Sequence, residues 1–228
     1  GDKMSKTFVM VHGAWHGAWA WDSLVSVLKQ QNRNVVCLDS PSSGSEIGAL
    51  GNLQADVDNV INCLDKTDGQ KILVGHSYGG IPITQASSGR NDIDHLVYVA
   101  AFMLDESESL AGALGGEMPD WIEVVADGAA TKANNNKEIF YTNIDQQIAN
   151  KCSDRLGFQS MASFGDELSS AGWKEINSSY IICEKDNAIP PPAQEAMSQR
   201  ATNVHKLDTD HSPFLSKTEE LAKILLEI

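Results

Sequence analysis

Residues 71–80 read Lys71-Ile72-Leu73-Val74-Gly75-His76-Ser77-Tyr78-Gly79-Gly80, an apolar run that turns at a glycine-flanked serine into a stretch of helical character. Gly75 to Gly79 fits G-x-S-x-G, the nucleophile-elbow pattern, in which a serine tops a sharp strand-to-helix turn. Such a serine has unfavourable backbone angles, and glycines two residues to either side let strand and helix pack closely enough to hold it. An ordinary Gly/Ser-rich loop can carry the same letters, so the strand before and the helix after decide the reading. The outcome is an exposed hydroxyl.

Outward from this turn, residues 7–11, 35–38, 96–99, 180–183 and 204–207 are further short β-rich runs, nearly continuous in apolar character, as suits strands covered on both faces. Helical patterns lie between them: Leu24, Val27 and Leu28; Val57, Val60, Ile61 and Leu64 at i, i+3, i+4 and i+7; residues 191–200 with prolines at their start; and Leu221, Ile224, Leu225 and Ile228. Strand and helix alternate with short turns. The expectation is an α/β fold, a mostly parallel sheet with helices on both faces, as one domain over residues 4–228. In such a sheet, reactive residues gather beyond the carboxyl ends of the strands. Only residues 103–173 break the rhythm: they show no clear strand and carry Gly112, Gly115-Gly116, Pro119 and Asn134-Asn135-Asn136. An insertion of this length is expected to be a cap over a site.

Composition narrows the partners. Seventeen basic against thirty-one acidic side chains give a formal charge of -14, which repels nucleic acid and anionic membranes at long range. No apolar stretch is long enough to cross a bilayer, and no basic segment followed by a hydrophobic one opens the chain. Cys37, Cys63, Cys152 and Cys183 are scattered, with no C-x-x-C pair and no histidine at metal-ligand spacing, so they read as reduced thiols in a cytoplasmic compartment and no metal is expected. Oligomeric state is open, a homodimer included.

A serine hydroxyl needs a base in reach and a group to orient that base. His211, in Asp208-Thr209-Asp210-His211-Ser212-Pro213, follows the last strand run, and Asp186, in Glu184-Lys185-Asp186-Asn187, follows the fifth. Both fall at strand carboxyl ends on the side of the elbow. A histidine, with an ordinary pKa near ~6.5, can take the serine proton and return it to the leaving group. Asp186 is the candidate acid and Asp105, just beyond the fourth strand, its rival; Asp208 and Asp210 are too close along the chain to His211. The amides of Ala14, in His12-Gly13-Ala14-Trp15 after the first strand, and of Tyr78 are candidate oxyanion donors. Gly13 permits close backbone approach and is itself a candidate for contact with the substrate. His12, His16 and His76 read as braces rather than proton carriers. Trp15, Phe102, Trp121, Phe140 and Phe158 are candidates for the substrate wall, although each large ring is equally at home in a packed core.

Together, residues 11–19, Gly75 to Gly80, Asp186 with Ile189-Pro190, and Asp210-His211 resemble the α/β-hydrolase superfamily, in the expected order over nearly the whole chain. The likeness is to the branch containing salicylate-binding-type plant methylesterases, hydroxynitrile lyases and bacterial carboxylesterases similar to pyrethroid hydrolases. It implies Ser77 as nucleophile, His211 as base, Asp186 as acid, the Ala14 and Tyr78 amides as oxyanion hole, and no cofactor. The lyases tend to carry threonine where this chain has Gly13, and lysine where it has Ser212, so the resemblance favours hydrolysis of a small-molecule ester. A carbon-carbon lyase or hydrolase, and a small-molecule receptor with slow turnover, are the competing readings.

Overall fold

The computed structural model describes residues 2–228. In chain order the elements are β1 Thr7–Val11, α1 Asp22–Gln30, β2 Asn34–Leu38, β3 Ser43–Gly44, α2 Leu53–Lys66, β4 Lys71–His76, α3 Gly80–Ala86, β5 Ile93–Val99, α4 Leu110–Ala113, β6 Ile122–Val125, β7 Ala130–Ala133, α5 Asn136–Phe140, α6 Gln146–Arg155, β8 Phe158–Ser160, α7 Met161–Gly165, β9 Ser178–Cys183, α8 Pro191–Ser198, β10 Asn203–Leu207, α9 Pro213–Ser216 and α10 Thr218–Leu226. The six apolar runs form one sheet of order β10-β9-β5-β4-β1-β2, every pairing parallel. Alternate side chains supply two cores. Phe8, Met10, Ile72, Val74, Val97 and Val99 face Trp21, Leu24, Leu28, Leu221 and Leu225, whereas Val9, Val11, Leu73, Leu96 and Tyr98 face the α2 stripe of Val57, Val60 and Leu64.

Strand order sets the location of chemistry. From β1 the chain crosses to β2 on one side, while β4, β5, β9 and β10 extend the sheet on the other. The carboxyl ends of β1 and β4 therefore lie side by side at the point where the winding reverses, the crevice where open α/β sheets bind ligands. The His12–Trp15 loop and Ser77 emerge there.

Residues 103–173 contain strands after all. β6, β7 and β8 join β3 in a four-stranded antiparallel sheet of order β3-β8-β7-β6, lying over the crevice side. Periodicity missed it for a physical reason: its strands are two to four residues long, and two of its fully buried positions, Thr131 and Gln159, are polar. These side chains are satisfied by hydrogen bonds rather than by apolar contact, so no alternation marks the strands. No helix among the described residues is long and apolar enough to cross a membrane.

Candidate active site

β4 ends at His76 and a single turn of 3-10 helix, Ser77–Gly79, leads into α3. Ser77 takes φ 53°, a left-handed conformation costing a non-glycine residue about 1–3 kcal/mol. The packing that enforces it is visible at two glycines. A Cβ at Gly75 would stand 2.7 Å from the Gly79 carbonyl oxygen, and one at Gly79 would strike the carbonyl oxygens of Val11 and His12. Either methyl would push α3 off the sheet. Gly13 does not line the cavity and belongs to the same packing: its Cβ would sit 3.1 Å from both Ser77 Cβ and His76 Nδ1, a tight contact that leaves the β1 loop close against the elbow.

The loop after β10 carries His211, whose Nδ1 lies 2.6 Å from Asp186 Oδ2; both residues are buried. The amides of Ala188 and Ile189 donate to Asp186 Oδ1 at 2.7 and 2.9 Å, and Gln194 Nε2 donates to Oδ2 at 2.9 Å. Four N–H donors suit a carboxylate, which can only accept. Gln194, fully buried, is a residue that sequence reasoning missed; it also accepts from the Cys183 amide at 3.0 Å and donates to the Ile189 carbonyl at 2.8 Å, so it fixes the whole acid loop. Asp105 stands elsewhere. It pairs with Lys174 at 2.7 Å, and that ammonium holds its carboxyl below the ordinary aspartate value. Asp208 pairs with Lys185, while Asp210, buried, accepts from the Asn143 and Ser212 amides at 2.9 and 3.0 Å and so ties the inserted segment to the His211 loop.

Three more imidazoles crowd the site, and their partners fix neutral tautomers. His12 accepts from the Ser40 amide at 3.0 Å and donates from Nδ1 to the Gly13 carbonyl at 2.7 Å. His16 donates to the Ala14 carbonyl at 2.8 Å and accepts from the Tyr141 hydroxyl at 2.6 Å; burial pushes its pKa down to about 3. His76 donates to the His211 carbonyl at 2.7 Å, and burial followed by the nearness of His211 pushes it well below the ordinary histidine value. They brace the loops that bear Ala14 and His211.

Ser77, His211, Ala14 and Tyr78 face one cavity. Among the described residues, no protein group accepts a hydrogen bond from the Ala14 or Tyr78 amide. Trp15, Phe102, Trp121 and Phe140 line the cavity, joined by Phe164, Leu110, Leu114 and Ile189. Phe158 does not. It sits half-buried on β8 opposite Gly44, because its neighbour Gln159 takes the interior position, and Phe164 one turn into α7 fills the wall instead.

Gln159 belongs to a buried polar network that sequence reasoning also missed. Its Oε1 accepts from the Trp15 amide at 3.2 Å, holding a residue at φ 67° next to Ala14, and its Nε2 donates to Ser42 Oγ at 2.7 Å. Ser42 donates its amide to Asp56 at 2.9 Å, and Asp56 accepts from the Tyr78 hydroxyl at 2.6 Å. Burial raises the Asp56 pKa. Both candidate oxyanion loops are thus tied from behind by one set of hydrogen bonds.

The sequence profile of the alpha/beta hydrolase family matches residues 8–224. The chain belongs to that family. Among its relatives is Methylesterase 7 of Arabidopsis thaliana, 30% identical over 250 residues that cover 98% of this chain and 96% of the relative. Norfluorocurarine synthase 2 of a Strychnos species is 27% identical over 253 residues, 98% of this chain and 95% of that one. Solved structures repeat the fold: a pyrethroid hydrolase from Sphingobium faniae JZ-2 superposes with a TM-score of 0.83 at 20% identity, over 97% of this hydrolase and 96% of that chain.

Two outcomes follow for this alpha/beta hydrolase. In the folded state His16 stays neutral until about pH 3, whereas unfolding restores a value near ~6.5, so the unfolded chain binds more protons between these limits. Stability therefore falls as pH drops through that window, and the His16 ring resonances are expected not to titrate between pH 8 and 4.5 in NMR spectra; a midpoint near ~6.5 contradicts the assignment. Asp56→Ala leaves the Tyr78 hydroxyl and Ser42 amide without their acceptor, and urea unfolding is expected to show a loss of about 1–3 kcal/mol.

Proposed function

We propose that the protein is a serine carboxylesterase acting through an acyl-enzyme on small to medium neutral esters. In the first step His211 Nε2 takes the proton of Ser77 as Oγ attacks the ester carbonyl; the oxyanion receives the Ala14 and Tyr78 amides, and the imidazolium gives its proton to the departing alcohol. In the second, His211 takes a proton from water, hydroxide adds to the acyl carbon, and Ser77 leaves as the alcohol while the acid is released. Asp186 holds the ring by Nδ1 so that Nε2 is the exchanging nitrogen. The observation that carries this reading is His211, hydrogen-bonded to Asp186 and lining the cavity that also exposes Ser77 and two residues with unbonded amides, Ala14 and Tyr78.

Hydrolysis is favoured over carbon-carbon lysis by the residue after His211. Ser212 Oγ donates to the Phe140 carbonyl at 2.9 Å and is buried, so no cation stands there to hold a leaving anion. Methylesterase relatives support an ester as substrate. Four free thiols suit a cytoplasmic setting.

A fluorophosphonate probe is expected to label Ser77 in the folded protein, and peptide mapping of an unlabelled Ser77 contradicts the proposal. Asp186→Asn is expected to lower kcat by up to about 10⁴-fold, as loss of the correct tautomer does elsewhere, while Asp105→Asn leaves it nearly unchanged. Equal losses in the two variants would remove Asp186 from its role.

A further inference from the structure

Trp15 follows Ala14, which lines the cavity with its amide unbonded, and takes a left-handed φ of 67° although it is not glycine. Its amide, carbonyl and indole N–H are all engaged, and their partners lie in the inserted segment. The amide donates to Gln159 Oε1 at 3.2 Å, Nε1 donates to Thr131 Oγ1 at 3.1 Å, and the carbonyl accepts from the Gly157 amide at 2.9 Å. The small antiparallel sheet thus grips the β1 loop at three points. Thr131 Oγ1 in turn donates to the Gln159 carbonyl at 3.2 Å, which joins the two side-chain contacts. Residue 157 reaches Trp15 only by passing close to β3: a Cβ there would stand 2.7 Å from the Gly44 carbonyl oxygen.

Thr131 and Gln159 are fully buried, yet neither lines the cavity. Burying a hydroxyl and a carboxamide costs free energy unless each is hydrogen-bonded. Here the bonds go to the loop beside Ala14 and, from Gln159 Nε2, to the Ser42 and Ser163 hydroxyls behind it at 2.7 and 2.8 Å. Geometry links them to the chemistry. The peptide plane between Ala14 and Trp15 carries the N–H held by Gln159 and the carbonyl held by His16 Nδ1 at 2.8 Å. The Cα of Ala14 joins that plane to the unbonded amide. Freeing Trp15 would let a strained residue relax and turn the plane, and the Ala14 amide with it.

Building on the esterase reading, we propose that Thr131 and Gln159 are positioning residues of the oxyanion hole: through Trp15 they hold the Ala14 amide where the oxyanion forms. The small sheet then sets the rate of the chemical steps as well as covering the crevice.

The test uses Thr131→Val, which keeps the side-chain shape and removes its hydroxyl, Thr131→Ser, which keeps the hydroxyl, and Gln159→Met, which lacks the carboxamide. It measures kcat and KM for p-nitrophenyl acetate. It also compares inhibition by a trifluoromethyl ketone, whose adduct with Ser77 places an oxyanion in the hole, with inhibition by the methyl ketone of the same skeleton. Thr131→Val and Gln159→Met are expected to lower kcat about ten- to a hundredfold with KM within about threefold, and to weaken the trifluoromethyl ketone by a similar factor. Affinity for the methyl ketone and the shape of the pH–rate profile are expected to stay as in the wild type, and Thr131→Ser to restore most of the rate. Trp15→Phe removes the indole bond from its other end, so adding Thr131→Val to it is expected to cost less than about threefold more. Circular dichroism reports folding. Should Thr131→Val and Gln159→Met not fold, Trp15→Phe alone is expected to lose the preference for the trifluoromethyl ketone. An unchanged kcat and ketone preference in the folded variants, a loss confined to KM, the same loss in Thr131→Ser, or the full loss repeated on Trp15→Phe each overturns this inference alone. No turnover of any ester by the wild type together with a Ser77 unlabelled by fluorophosphonate overturns the esterase reading and this inference with it.

Discussion

The contact of two backbones at the carboxyl ends of β1 and β4 is the constraint on which the site depends. Gly75 and Gly79 bring β4, the elbow and the β1 loop within a distance that no Cβ would allow, and the strain of Ser77 at φ 53° persists because that packing over-determines it. Relaxing the serine into ordinary helix geometry would lower its hydroxyl into the α3 turn and carry the Tyr78 amide away from Ala14. Site and fold are in this sense one structure.

What surrounds the elbow is a stack of polar braces, each buried and each satisfied. Gln194 and two amides fix Asp186; Asp186 and the His76 contact fix the His211 loop; Gln159, Ser42 and Asp56 fix the strained Trp15 and Tyr78. A fully satisfied buried network rigidifies its members, and a missing partner leaves a costly orphan group. Charge is kept out of these braces: the Ser40 amide donates to His12, which only a neutral ring can accept, and burial keeps His16 and His76 neutral.

Much of this was legible in the chain because apolar runs and glycine spacing are written locally. Six strands, the elbow, and the His211 and Asp186 loops were readable from residues whose neighbours state their setting. The small antiparallel sheet was not, since Thr131 and Gln159 are buried by hydrogen bonding and their strands look like polar loop. Asp56 on the α2 face and Gln194 one turn into α8 are likewise buried by hydrogen bonding, which leaves no apolar mark in the sequence. Aromatic identity gave no direction: Phe158 and Phe164 are equivalent as letters, and only the turn into α7 decides which reaches the cavity.

Rapid-quench mass spectrometry during turnover of a p-nitrophenyl ester tests the central claim most directly. The account predicts a transient acyl adduct mapped to Ser77 that forms and decays with product release and is absent in Ser77→Ala. Hydrolysis that proceeds through the wild-type site with no adduct on Ser77, or that survives undiminished in Ser77→Ala, would contradict it.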